Sequence, residues 1–210
     1  MVMSDQDMHT YRNPVLLGAL TACFLVSLLP VVHIPFFQDI DVNVLILINL
    51  SRIHSLDAFF NLVTDTAGAV GMLTPLILLC IPRLRKAGVY GLIAYLATAL
   101  TSNALKYILN RPRPFATYHF IEKMTSGGSP SFPSGHTTDA FVTAGVLSLV
   151  FRRWYVTVVV YLWAILVAYS RIDLGVHYPS DVLAGAALGS IAAVVCYGVE
   201  GWLIRKREAF

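Results

Sequence analysis

Long apolar stretches, interrupted by short polar connections, constrain this chain more than any other feature. A helix needs about 20 mainly apolar residues to cross the hydrocarbon core of a bilayer, and about six such stretches can be drawn, at 14–33, 58–81, 87–109, 137–154, 155–171 and 181–204. The residues are 57% hydrophobic and only 13% charged, too apolar for an ordinary soluble domain of 210 residues. The expected fold is therefore all-α: a polytopic bundle of six transmembrane helices. The first stretch follows a segment with acidic as well as basic residues (Asp5, Asp7, Arg12) and has no small-residue cleavage site, so it reads as a retained span and not a signal peptide.

Residues 34–57 break the pattern by mixing Phe36, Phe37, Val44, Leu45 and Leu47 with Asp39, Asp41, Arg52 and His54. An amphipathic helix lying at the interface suits this mixture, and so does a loop packed on the bundle. The longest connection, 110–135, carries Pro112, Pro114, Gly127, Gly128, Pro130 and Pro133 and is expected to fold over one mouth of the bundle. Neither internal repeats nor a flexible linker divides the chain, so residues 1–210 read as one membrane-embedded domain.

Basic clusters give the orientation. Arg83, Arg85 and Lys86, then Arg152 and Arg153, then Arg205, Lys206 and Arg207 fall on one side of an even-numbered bundle, together with the N-terminus. Cytoplasmic loops are enriched in Lys and Arg, so both termini should be cytoplasmic, and the loops holding Lys106, Arg113 and Arg171 should face the periplasm or the exterior. The net charge of +3 is split between these clusters and the loops and gives no sign of nucleic-acid binding. Cys23, Cys80 and Cys196 lie in apolar stretches and read as small packing residues.

Those opposite loops contain three blocks: KYILNRPRP from Lys106 to Pro114, PSGH from Pro133 to His136, and SRIDLGVHYPSD from Ser170 to Asp181. Lys106, Arg113 and Arg171 are cations suited to an anion, and arginine can donate two parallel hydrogen bonds to phosphate oxygens. Ser134 and Gly135 precede an apolar stretch, where a helix N-terminus offers free amides to an anion. His136 is placed to act as a general acid. Pro179 suits the first turn of a helix, with His177 at its mouth and Asp181 inside that turn, where it orients the imidazole or simply favours the helix dipole. Arg111 and Asp139 are accessory candidates whose roles stay open; His119 and Lys123 suit a solvated loop or contact with a lipid head group, Asp65 within the second span calls for a polar partner such as Thr64 or a group on another helix, and His9, His33 and His54 join no constellation.

The ordered spacing (Lys, six residues, Arg-Pro; Pro-Ser-Gly-His; Ser-Arg, five residues, His, three residues, Asp) resembles the type 2 phosphatidic acid phosphatase superfamily, which includes bacterial acid phosphatases and vanadium haloperoxidases. The resemblance implies that His177 is a nucleophile forming a phosphohistidine, Asp181 its orienting partner and His136 the proton donor. Lys106, Arg113, Ser134, Gly135 and Arg171 would hold the phosphoryl oxygens. It also implies no cofactor and no metal, with cationic side chains supplying the charge. The expected partner is a lipid phosphate in the bilayer: undecaprenyl diphosphate, phosphatidylglycerophosphate, phosphatidic acid or lipid A phosphate. A lipid phosphotransferase using the same site, or a binder that lacks turnover, are the alternatives. Nothing in the residues speaks to oligomeric state.

Overall fold

The computed structural model describes residues 34–128 and 130–208. Among these residues the regular elements are all helical: α1 (Pro35–Leu50), α2 (Asp57–Cys80), α3 (Arg85–Leu109), the one-turn α4 (Pro114–Thr117), α5 (Gly135–Phe151), α6 (Trp154–Asp173) and α7 (Pro179–Glu208). The expected spans from 58 onward each coincide with one long helix to within a few residues. The expected first span, 14–33, and Cys23 lie outside the described residues.

Four helical segments among the described residues are long and apolar enough to cross a membrane: His54–Cys80, Pro82–Thr117, Trp154–Asp173 and Pro179–Val199. Their packing is inside-out relative to a soluble bundle. The buried stripe of α3 is Gly88, Gly91, Ala94, Thr98 and Ser102, whereas Leu100 and Ile108 are 73% and 74% exposed. Small residues let helices approach closely where lipid, not water, covers the outside. Tyr107 near one end of the bundle and Trp154 near the other are also strongly exposed, as in the aromatic belts of membrane interfaces. Cys80 is exposed on α2 instead of packed, Cys196 is half-buried, and both are free thiols.

Short connections reverse the chain between α2 and α3, α5 and α6, and α6 and α7. The C-terminal ends of α3 and α6 and the N-terminal ends of α5 and α7 therefore gather at one end of the bundle. Close contact of α5 with α7 sets this end. A Cβ at Gly185 would lie 2.7 Å from the Ser134 carbonyl oxygen, and one at Gly189 would lie 2.5 Å from the Thr138 carbonyl oxygen. The two glycines, four residues apart, form one face on which the α5 backbone rests. That approach brings the Ser134 amide to 3.0 Å from the Asp181 carbonyl oxygen.

Helix α1 fits the amphipathic reading but inverts part of its logic. Its 16 residues span about 24 Å, short of the roughly 30 Å hydrocarbon core. Asp41 is not on the polar outer face; Asp41 and Leu45, one turn apart, are the buried residues, while Phe36, Phe37, Ile40 and Leu47 are exposed. An acid occupies the docking stripe because its partners lie on the bundle.

Candidate active site

The Lys106-to-Pro114 block is shaped by its helix end. Asn110 takes the left-handed conformation (φ 41°) as the α3 cap, and its amide bonds to the Lys106 carbonyl at 2.9 Å. Asparagine tolerates this conformation, so the helix stops one turn past Lys106. Pro112 and Pro114 then keep the preceding arginines out of helical geometry, and α4 starts at Pro114, its first-turn proline. Lys106 thus ends α3, while Arg111 and Arg113 sit on an extended segment across the bundle mouth.

The Pro-Ser-Gly-His block caps α5, with Ser134 in extended conformation immediately before Gly135. Thr138 donates both its amide and its hydroxyl to the Ser134 carbonyl, at 3.0 and 2.9 Å, and Thr137 donates its hydroxyl to Ser134 Oγ at 2.9 Å. The serine hydroxyl proton remains available to an anion beside the open first turn of the helix. A Cβ on Gly135 would lie 3.5 Å from Lys106 Nζ, so the ammonium stands beside this turn.

In the third block, the amides of Val176 and His177 both donate to the Arg171 carbonyl, at 3.3 and 3.1 Å. Gly175 makes that tight return possible with φ +74°, where an added Cβ would meet the Glu122 carbonyl oxygen at 2.4 Å. Asp181 is the third residue of α7, and its Oδ2 accepts the Tyr178 amide at 3.0 Å, the reach-back half of a capping box. The same oxygen lies 3.3 Å from His177 Nδ1 and accepts the hydroxyl of Ser131. Helix-capping and imidazole-orienting roles are therefore combined in one carboxylate. His177 is buried, and desolvation holds its imidazole well below its ordinary pKa against the pull of Asp181, with Arg113 and Arg171 adding to the lowering. The ring is neutral at physiological pH.

The cations converge on this pair. Lys106, Arg113 and Arg171 are close enough to repel one another, and burial together with all three lowers the pKa of the His136 imidazole to about 4, so its proton-donor form depends on an anion that offsets the three cations. Arg113 Nη1 donates to the Val176 carbonyl at 3.2 Å beneath Gly127, where an added Cβ would come within 2.5 Å of the guanidinium. Arg171 donates to Thr64 Oγ1 at 2.9 Å and to the Ser126 carbonyl at 3.0 Å. None of the three has a carboxylate ion-pair partner among the described residues. The Nε atoms of Arg113 and Arg171 are buried without a hydrogen-bond partner. Buried unpaired donors are costly, and a polyvalent oxyanion between them would satisfy both.

Arg111 stands apart from this cluster. Its guanidinium bonds Asp181 Oδ1 and Ser180 Oγ, both at 2.7 Å, and Asp41 Oδ2 at 2.6 Å, and it stacks 3.9 Å from the Tyr178 ring centroid. Asp139 lies one turn beyond His136, half-buried and within the field of Lys106. Asp65 is exposed on α2 and acts on Arg171. Lys123 lies 5.1 Å from the centroid of the Phe115 ring, and His119 is exposed. The sequence reading gave Ser131 and Ser180 no role and named Thr64 only as a partner for Asp65, whereas its hydroxyl accepts from Arg171. The two serines stand beside motif residues, but hydroxyls that common carry no signal until their partners are known.

The chain is similar to known proteins. Residues 87–205 match the PAP2 superfamily. The chain is 29% identical over 184 residues to the lipid A 4'-phosphatase of Bacteroides thetaiotaomicron, a match covering 81% of this chain and 77% of that relative. It is 34% identical over 128 residues to the undecaprenyl-diphosphatase of Sulfolobus acidocaldarius, covering 59% of this chain and only 60% of that relative's length. Among solved structures, LpxE of Aquifex aeolicus superposes with a TM-score of 0.66 at 31% identity, covering 74% of this chain and 93% of that one. The fold is also that of a transmembrane phosphatidylglycerolphosphate phosphatase of Bacillus subtilis, with TM-score 0.73 at 24% identity over 90% of this chain and 96% of the other. The inside-out bundle, the three ordered blocks meeting at one end of it and a family match over more than half of its length agree: the chain is a membrane protein of the PAP2 superfamily.

Proposed function

We propose that this protein removes a terminal phosphate from a lipid-linked phosphomonoester or diphosphate through a covalent phosphohistidine. The observation that carries the reading is the commitment of His177 Nδ1 to the Asp181 side, which leaves Nε2 as the attacking nitrogen. Nε2 bonds to phosphorus as the bond from phosphorus to the lipid oxygen breaks, and His136 gives its proton to that oxygen. Asp181 stabilises the positive charge that the phosphorylated imidazole acquires. Lys106, Arg113, Arg171, Ser134 and the amides opening α5 bind the equatorial oxygens, whose charge grows in the transition state. His136 then takes a proton from water, which attacks phosphorus and releases His177. Relatives that bear the names of lipid A phosphatases and undecaprenyl-diphosphatases support a lipid substrate, as does a site at the end of a lipid-facing bundle.

Phosphohistidine is stable in alkali and labile in acid. The purified protein, mixed with lipid carrying a labelled terminal phosphate and quenched in alkali within milliseconds to seconds, is expected to retain label that acid removes. Phosphate release without any labelled protein, at every quench time, excludes the covalent route. Undecaprenyl diphosphate, phosphatidylglycerophosphate, phosphatidic acid and lipid A phosphate, compared at equal surface concentration in the presence of a chelator, rank the headgroup preference.

The site is proposed to face outward across a bundle of six spans whose termini are cytoplasmic, with residues 1–210 forming one unit. Arg83, Arg85, Lys86, Arg152 and Arg153 support this, since they cluster at the bundle end away from Arg113 and His177. In a background with Cys23, Cys80 and Cys196 replaced by serine, Lys123→Cys is expected to react with a membrane-impermeant maleimide in intact cells. Arg153→Cys should react only after permeabilisation, and the reverse pattern would overturn the orientation.

A further inference from the structure

Arg111 and Asp41 are a buried charged pair that the proposed chemistry does not use, and burying such groups is expensive unless geometry repays it. The pair joins elements far apart in the chain. Arg111 belongs to the α3–α4 connection and Asp41 to α1, 70 residues away. Asp41 Oδ1 accepts the Ser180 amide in the first turn of α7 at 2.8 Å, and its Oδ2 accepts the Ser180 hydroxyl. Ser180 Oγ in turn accepts from Arg111 Nη1, which also holds Asp181 Oδ1. The Arg111 carbonyl receives the Ser131 amide at 2.8 Å, and the Ser131 hydroxyl goes to Asp181 Oδ2. Side chain and backbone of one arginine thus fix both ends of a single carboxylate.

We propose that Asp41 and Arg111 are positioning residues for the reaction, acting through Ser180 and Asp181 to hold the His177 imidazole in its attacking orientation. The docked face of α1 is accordingly part of the active-site construction, although α1 touches no reacting atom. Asp181 has two oxygens. With Oδ1 pinned by Arg111, Oδ2 is left for His177, Ser131 and the Tyr178 amide, so rotation of the carboxylate would break the whole set. Asp41 keeps the guanidinium in place by binding its other nitrogen, and Tyr178 supports one face of it. Because Arg111 is shared between two carboxylates, it neutralises Asp181 only in part, as suits a carboxylate beside a ring that becomes cationic when phosphorylated.

The proposal rests on His177 being the nucleophile, and its test keeps the two claims separate. Asp41→Asn and Arg111→Gln are each expected to lower kcat about ten- to a hundred-fold while KM stays within about twofold, because misorientation slows the attack without removing a phosphate contact. The double variant should fall within about threefold of the worse single variant, since one residue acts through the other. Leu45→Ala, fully buried on the same face of α1, is the packing control and should keep kcat within about threefold. If Asp41→Asn does not accumulate as folded protein, Ser180→Ala removes the shared hydroxyl and should lower kcat several-fold at constant KM. Multiplicative losses in the double variant, a change confined to KM, or an equal loss in Leu45→Ala would overturn the proposal. Turnover that survives His177→Ala would instead sink the phosphohistidine reading itself.

Discussion

His177→Ala is expected to reduce kcat by about four to six orders of magnitude, the scale at which removal of a covalent nucleophile leaves only positioning and electrostatics. Among the described residues, no other imidazole at the cation cluster is placed to take over. His136 opens α5 and is the proposed proton donor, whereas His177 has the Asp181 carboxylate beside its ring to absorb the charge of a phosphorylated nitrogen. Burial accounts for the accompanying pH behaviour. A free histidine loses its nucleophilic form as pH falls through about 6.5. Desolvation moves this loss downward for His177, so it stays neutral across the physiological range and beneath it. The acid limb of kcat/KM, which reports the free enzyme, is therefore expected below about pH 6 and not at the ordinary imidazole value. Stopped phosphate-release assays from pH 4 to 9, with His177→Ala as the blank, check both statements. An acid limb at the unperturbed value would mean that the nucleophile is solvated and that a different group is buried at the reaction centre.

Arg171→Ala is expected to lower kcat by about two to three orders of magnitude, comparable to deleting a preorganised donor from a transition-state oxyanion site. Arg171 is only 1% exposed, is held by Thr64 and the Ser126 carbonyl, and keeps an unpaired Nε next to Arg113. Its backbone carbonyl, not its side chain, anchors the Val176 and His177 amides, so truncation leaves the return loop that carries the nucleophile in place. The loss should come with weaker inhibition by inorganic phosphate, because ground-state phosphate uses the same donors. Arg171→Lys keeps the charge but forfeits the planar fork and should recover only part of the activity. Should Arg171→Ala leave kcat and phosphate inhibition both unchanged, the side chain would be a structural tie between α2, α6 and the 118–134 loop.

The position of the cation and histidine cluster was legible in the motifs because its determinants are local. Asn110 stops α3 just past Lys106, prolines hold Arg111 and Arg113 in an extended segment, Ser134 precedes the first turn of α5, and Pro179 starts α7 two residues before Asp181. Each effect depends on neighbours within about one helical turn, and a linear reading reaches that far. The number and limits of the long helices from 58 onward were readable for a similar reason, since bilayer thickness imposes a length on every apolar run.

Asp41 and Arg111 show where that reach ends. Asp41 was one of several charged residues in a stretch that suited an interfacial helix or a packed loop, and Arg111, two residues before Arg113, was an accessory candidate whose role stayed open. Their roles come from partners 139 residues away at Ser180 and 70 residues away at Asp181. Periodicity states which residues share a helix face, but which face docks depends on what the opposing surface offers. A buried acid becomes tolerable only when an arginine, a serine hydroxyl and a helix-opening amide are brought to it together. Residue types and spacing therefore specify a membrane bundle and the chemistry gathered at its mouth. Packing alone assigns the remaining charges, because burial and pairing are properties of surfaces in contact and have no counterpart in a single run of sequence.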